Sequence, residues 1–432
     1  MKKNHLIVVL ILFIFFVISF LTNILGPLIP DIIKDFEVSL TLAALLPFAF
    51  FIAYGVFSIP SGVAVERFGE KTVIISAFLI AFLGAFLFSL FPSFPVALLS
   101  LFLIGSGMAM LQVAINPLLR TAGGEEHFAF NSVMAQLAFG LASFASPFLF
   151  SYLVLNLEAY EGPEKSNFII DIFHNLVPEN LPWVSLYWIF ALISLLMIVL
   201  IYPIKLPKVA LKETERAGNR ATYRDLLKNK KVLLYFLGLF AYVGTEQGIA
   251  NWMSQFLTVY HGFDPRIEGT ASISLFWGLL TLGCILGLIL LKIMDSKLVL
   301  KIFAGAAIVC FTAALFGPAQ MALYAFPLVG FFASVMWSVI FSLALNSVKD
   351  NHGALSGILC SGIIGGAIVP LIVGAIGDVV GLRGGMIFLY LTLGFIFSIG
   401  FWAQPLVDNK TIGIRNLFFK KYIDRDTNPS NN

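Results

Sequence analysis

"GVAVERFGEK", residues 62–71, is a short charged stretch between two long apolar runs, about 39–61 and 73–92. A run of about 20 apolar residues is long enough to cross the hydrocarbon core of a bilayer as a helix. The stretch therefore reads as a tight polar turn between two crossings. Gly62 would let the helices approach closely and Gly69 would supply an unusual backbone angle. The same alternation of apolar run and polar turn continues along the whole chain. Of the 432 residues, 59% are hydrophobic and 12% charged, with a mean hydropathy of +0.94. A soluble domain carries about 25% charged residues, so this chain has too little polar surface to cover itself in water. Only helices and closed barrels span lipid, because every backbone group must be paired internally. The runs are too long and too evenly apolar for barrel strands, which leaves an all-α membrane protein.

Working outward from that turn, twelve transmembrane helices are expected, at 6–29, 39–61, 73–92, 95–119, 128–155, 183–204, 232–259, 270–292, 298–317, 321–345, 355–377 and 385–404. The first run is too long for a secretory leader, and no small-residue cleavage site follows it. With the first residues on the cytoplasmic side, Lys34, Lys165, Arg266 and Arg383 are the bases left on the other face, out of 27 Lys and Arg. That bias predicts cytoplasmic termini. The most basic internal stretch, "KLPKVALKETERAGNRATYRDLLKNKK", splits the chain into an N-terminal six-helix bundle (1–204), a linker (205–231), a C-terminal six-helix bundle (232–404) and a tail (405–432). The linker reads as a solvated segment, with an amphipathic helix on anionic headgroups as the alternative. Span four ends in "AINPLL" and span ten in "LALNSV"; span five carries "ASFASP" and span eleven "IGGAIVP". The shared order and offset point to two pseudo-symmetric bundles in a parallel repeat.

The turn itself resembles the loop between spans two and three of the major facilitator superfamily, G-x-x-x-D-R-x-G-R-K. Gly62, Arg67, Gly69 and Lys71 match; Glu66 stands for the usual Asp and Glu70 for a base. Within that superfamily, "FAFFIAYGVFSIPSG" (48–62), "LQVAINPLL" (111–119), "AQLAFGLASFASP" (135–147), "AYVGTEQGIANW" (241–252) and "FSLALNSV…GALSG…GGAIVPLIVGAIGD" (341–378) are similar to the fucose–glucose–galactose permease family. The resemblance implies two six-helix bundles that rock about a central site. It further implies import of a monosaccharide (hexose, deoxyhexose or amino sugar), coupled to a proton or sodium ion, across a bacterial inner membrane. The turn residues Gly62, Glu66, Arg67, Gly69 and Lys71 would then form a conformational gate. The chain also departs from the family. Gly26 occupies the place of an Asp in span one, Gln112 that of an acid in span four, Phe139 that of an Asn, and Cys284 that of a base in span eight.

The polar residues inside the spans carry the expected site. Gln112 and Asn116 are four apart and share a helix face. Amides donate and accept, as sugar hydroxyls do. Gln247, Asn251, Ser254 and Thr258 make one stripe on span seven, with Trp252 beside it to stack on a sugar. Gln136 and Asn346, the latter the counterpart of Asn116 in the repeat, complete the candidate substrate set. Interhelical hydrogen bonding, worth about 0.6 kcal/mol on average, is the competing explanation for each amide. Glu246 is the one acid placed deep in a span, and a costly intramembrane carboxylate points to function. It is the first candidate for ion coupling. Asp31 and Asp378 fall at predicted helix ends, where solvated end residues are the simpler reading; Asp31 is kept as a second ion-coupling candidate. Gly105 with Ala109, and Gly357 with Ser361 and Gly365, read as helix-packing faces. Cys284, Cys310 and Cys360 read as small apolar residues. Phosphate loops, zinc-ligand spacing and hydrolase elbows are missing from the sequence, so no enzyme, cofactor, metal or nucleic-acid partner is expected. The chain is expected to act as a monomer in the bilayer, with an exporter or facilitator of another small neutral solute as the alternative function.

Overall fold

A computed structural model describes residues 5–123, 128–162, 167–207, 220–348 and 352–406. Among the described residues, twelve helices are long and apolar enough to cross a membrane: α1 (His5–Asp35), α2 (Leu40–Val65), α3 (Glu70–Leu90), α4 (Phe94–Gly123), α5 (Met134–Glu158), α6 (Pro182–Ile201), α7 (Lys230–His261), α8 (Pro265–Ile293), α9 (Ser296–Phe316), α10 (Ala319–Leu345), α11 (Ala354–Val380) and α12 (Leu382–Trp402). No strand occurs among the described residues. Each expected span overlaps one observed helix, with ends that shift by a few residues: α5 starts at Met134, α8 starts at Pro265, and α1 runs on to Asp35. It does so in two pieces, His5–Thr22 and Leu25–Asp35, with the break at Asn23 and Ile24.

One apolar core gathers residues of α1 to α6 and a second gathers residues of α7 to α12. The exceptions mark the seam: Ala367 of α11 joins the first core, and Ile29, Ala43 and Ala44 of α1 and α2 join the second. The linker and tail expectations lie in part outside the described residues, at 208–219 and 407–432. Within the described part of the linker a short helix, Arg220–Lys228, forms. It buries Leu226 and exposes Leu227, and most of its other described side chains are exposed.

Two glycines fix the internal symmetry at the level of the backbone. Gly105 of α4 lies against the Phe50 backbone of α2, and Gly330 of α10 lies against the Phe276 carbonyl of α8. In each half the fourth helix approaches the second with no room for a Cβ. This register corrects the pairing of Asn116 with Asn346. Asn116 stands eleven residues beyond Gly105, and eleven beyond Gly330 stands Phe341. The amide-based pairing slipped because α4 stays helical through Pro117 to Gly123, whereas α10 ends at Leu345.

The opening turn is built around Gly69, whose φ of 82° is left-handed. Its N–H closes the preceding helix on the Val65 carbonyl at 2.9 Å. A side chain at this φ would be strained. Gly62, expected to allow a close helix approach, does not do so in this conformation: a Cβ there would meet open space.

Candidate functional site

A cavity of about 570 Å³ lies between the halves. It is lined by α1, α2, α4 and α5 on one side and by α7, α8, α10 and α11 on the other. The lining runs from mid-helix positions such as Asn23, Gln247 and Trp277 to Phe15, Asn116 and Leu291. These last lie toward the face that carries the 62–71 turn, here the linker face. Toward the opposite, far face the halves touch. There Gly26 of α1 packs on the Ala250 carbonyl of α7, and Ser151 donates to the Arg266 carbonyl at 2.7 Å. Asp378 of α11 accepts from the Leu40 and Thr41 N–H groups, both at 2.9 Å.

Four of the seven candidate substrate residues reach the cavity: Gln112, Asn116, Gln136 and Gln247. Asn116 satisfies one donor locally, from Nδ2 to the Gln112 carbonyl at 2.8 Å, and its side chain is otherwise exposed to the cavity. Glu246 joins them. Its carboxylate accepts from Gln247 Nε2 at 3.3 Å and pairs with the hydroxyl of Tyr242, one turn earlier. No Lys or Arg is among the lining residues.

Three candidates lie elsewhere. Trp252 is fully buried, and its Nε1 donates to the Pro370 carbonyl at 3.1 Å. It is five residues past the cavity-lining Gln247, about 140° round the helix, and so faces α11 instead of the cavity. Asn251 is also buried and outside the lining, with Nδ2 unpartnered. The stripe on α7 is cut off at Gln247 because α1 seats on α7 at Ala250. Asn346 follows the end of α10, and its carbonyl accepts from Leu406 N at 2.7 Å.

Asp31 is not a solvated end residue. It is 4% exposed and its Oδ1 takes two N–H groups of Arg266, at 3.0 and 3.2 Å. In the turn, Lys71 donates to the Tyr202 carbonyl at 2.6 Å and Arg67 stacks on Phe68. Both contacts stay within the N-terminal half, and the Glu66 side chain lies outside the described set.

Sequence reasoning missed several lining residues. Asn23, at the α1 break, donates to Ser143 at 2.8 Å, and Ser19 bonds both Ser143 and the Phe139 carbonyl. Tyr54 pairs with Thr22. Trp277 and Trp337 supply the aromatic surface expected of Trp252, and Trp337 tilts against Tyr242 at 6.1 Å. The break at Asn23 carried no Pro or Gly at the residue itself, and a lone Ser in an apolar span carries no signal of which neighbour it faces.

Two helical bundles with a polar cavity on their shared seam define a polytopic membrane protein of the transporter class. The family model described as Major Facilitator Superfamily matches residues 11–370. The chain belongs to that superfamily, whose members are transporters and not enzymes. It is 29% identical over 382 residues to a glucose/galactose transporter of Brucella abortus biovar 1 (strain 9-941), covering 86% of this chain and 87% of that one. It is 30% identical over 369 residues to a putative glucose/galactose transporter of Helicobacter pylori (strain ATCC 700392 / 26695), covering 84% and 87%. The crystal structure of the E. coli fucose:proton symporter, FucP, superposes with a TM-score of 0.64 at 22% identity, covering 92% of this chain and 98% of that one.

Proposed function

We propose that this protein imports a monosaccharide across a bacterial inner membrane by alternating access, coupled to a proton or sodium ion, as a monomer with both termini cytoplasmic. The observation that carries the reading is the lining of the cavity. Amides and hydroxyls from both halves converge there, with aromatic rings, one carboxylate and no cation. Such a surface matches a neutral polyol and repels no hydroxyl; it offers an anion nothing to pair with. The relatives named glucose/galactose transporters support the substrate class. The excess of Lys and Arg on the linker face supports a cytoplasmic placement of that face. Gln112, Asn116, Gln136 and Gln247 hold the sugar, and Glu246 exchanges the coupling ion. The 62–71 turn, through Arg67 and its neighbours, biases which face is open.

The test is uptake into proteoliposomes of a radiolabelled sugar panel under imposed pH or Na⁺ gradients. Uphill accumulation of a hexose driven by one of these gradients is expected. Glu246→Gln keeps size and hydrogen bonding but cannot exchange a proton. It is expected to retain sugar exchange between equal pools and to lose uphill accumulation. Uphill accumulation by this variant would remove Glu246 from the coupling role, and transport of another neutral solute with no sugar uptake would overturn the substrate reading.

A further inference from the structure

The contacts between the halves at the far face include a charged cluster. Arg266, at the start of α8 in the C-terminal half, reaches across the seam. Its guanidinium holds Asp31 of α1 at 3.0 Å and also Glu158 at the end of α5. Both carboxylates belong to the N-terminal half. The same residue's carbonyl accepts from Ser151 of α5. The turn that presents Arg266 is itself fixed: Asp264 caps the Arg266 N–H at 2.7 Å, and Glu268 takes the Asp264 N–H at 3.1 Å. Asp31 and Arg266 have side chains only 5% and 15% exposed.

We propose that Arg266 is the hub of a charge latch that holds the far face closed, and that parting Arg266 from Asp31 and Glu158 is the step that opens the cavity to that side. Asp31 feels the like charges of Asp35 and Glu158 on its own half. With Arg266 in place the guanidinium compensates this acidic group; with it absent, the buried Asp31 is left uncompensated beside the like charges of Asp35 and the more exposed Glu158. Removing one partner of a buried pair leaves an uncompensated charge, which is much more costly than never having built the pair. The separated state relieves that cost by hydrating the carboxylates. So the latch selects between two conformations and adds little to the stability of either half. A second tie across the same face has different chemistry: Asp378 of α11 caps the first turn of α2 through two backbone N–H groups and the Thr41 hydroxyl.

Hydrogen–deuterium exchange on the full chain in nanodiscs, without added sugar, tests the latch independently of the transported solute. Arg266→Glu is expected to raise exchange in 24–41 and 262–270 by about tenfold or more, with 61–72 and 220–231 unchanged or slower. The double variant Asp31→Arg with Arg266→Glu restores an opposite-charge arrangement and is expected to bring far-face exchange back toward the parent. Asp31→Asn, which keeps the shape, covers the case in which the charge reversal does not fold; it is expected to loosen the same two segments. Equal loosening of both faces, or parental exchange in a folded Asp31→Asn or Arg266→Glu protein, would overturn the proposal, as would a double variant no tighter than Arg266→Glu.

Discussion

Gly26 is where the family pattern would place an acid and where α1 meets α7. A Cβ built on Gly26 falls inside contact distance of the Ala250 carbonyl oxygen, and it lies 3.2 Å from Ile273 Cδ1. The Ile273 tip can swing away, but the Ala250 carbonyl is fixed in a continuous helix. Gly26→Ala must therefore push the far halves of α1 and α7 apart. Overpacking of this kind costs about 1–3 kcal/mol. That cost applies to the far-closed conformation alone, so the ratio of open to closed should rise by about 5- to 150-fold. Gly26→Asp adds a carboxylate at the same contact and should shift the balance further, without creating a new coupling site. Nitroxide labels at Asn175→Cys and Val379→Cys, on opposite halves of the far face, would report the shift by pulsed electron resonance. Cys284, Cys310 and Cys360 would be replaced by Ala to leave only these labels. A longer-distance population, dominant in Gly26→Asp, is the expected result. Distance distributions identical to the parent in both variants would refute the close-contact argument, since two helices cannot keep this separation with a side chain between them.

Two further substitutions separate ligand contact from packing. Gln112→Ala and Asn116→Ala should each weaken sugar binding by about 1–3 kcal/mol, with nearly unchanged melting temperature, because a buried polar partner on the ligand is left unpaired; normal binding with easier unfolding would mean that these amides are interhelical glue. Trp252→Ala should do the reverse, costing about 3–5 kcal/mol of stability in thermal unfolding while any folded fraction keeps its sugar affinity.

The fold was legible because hydropathy alone carries it: each helix must be apolar for about 20 residues, and the charged turn at 62–71 has no other place in lipid. The candidate site was legible only where a polar residue inside a span sits on a face that the seam leaves open, as with Gln112, Gln136 and Gln247. Three kinds of information were hidden. One is rotation: Trp252 and Gln247 share a helix, yet they face α11 and the cavity respectively. Another is depth, since the α7 stripe continues past Gln247 but the α1 contact at Gly26 closes over it. The last is pairing between distant segments. Nothing local in "TNILGPLIPD" or "GFDPRIEG" reveals that Asp31 and Arg266 meet, 235 residues apart.

The distribution of groups around the seam also decides what a substrate must do under the proposed function. A ligand moves a conformational equilibrium only through the difference between its affinities for the two states. A sugar held by Gln112, Asn116 and Gln136 alone would bind one half equally well in either state and would drive nothing. Gln247 and the Tyr242–Glu246 pair lie on the other half and face the same cavity. A sugar bridging the two sets favours the state in which both reach it at once. The charged contacts sit apart from this surface, at Asp31, Glu158 and Arg266 on the far face. Binding energy and gating energy are thereby placed on different residues. It follows that substitutions at Gln112 or Gln247 should alter affinity for the sugar, whereas those at Arg266 should alter which face is open before any sugar arrives.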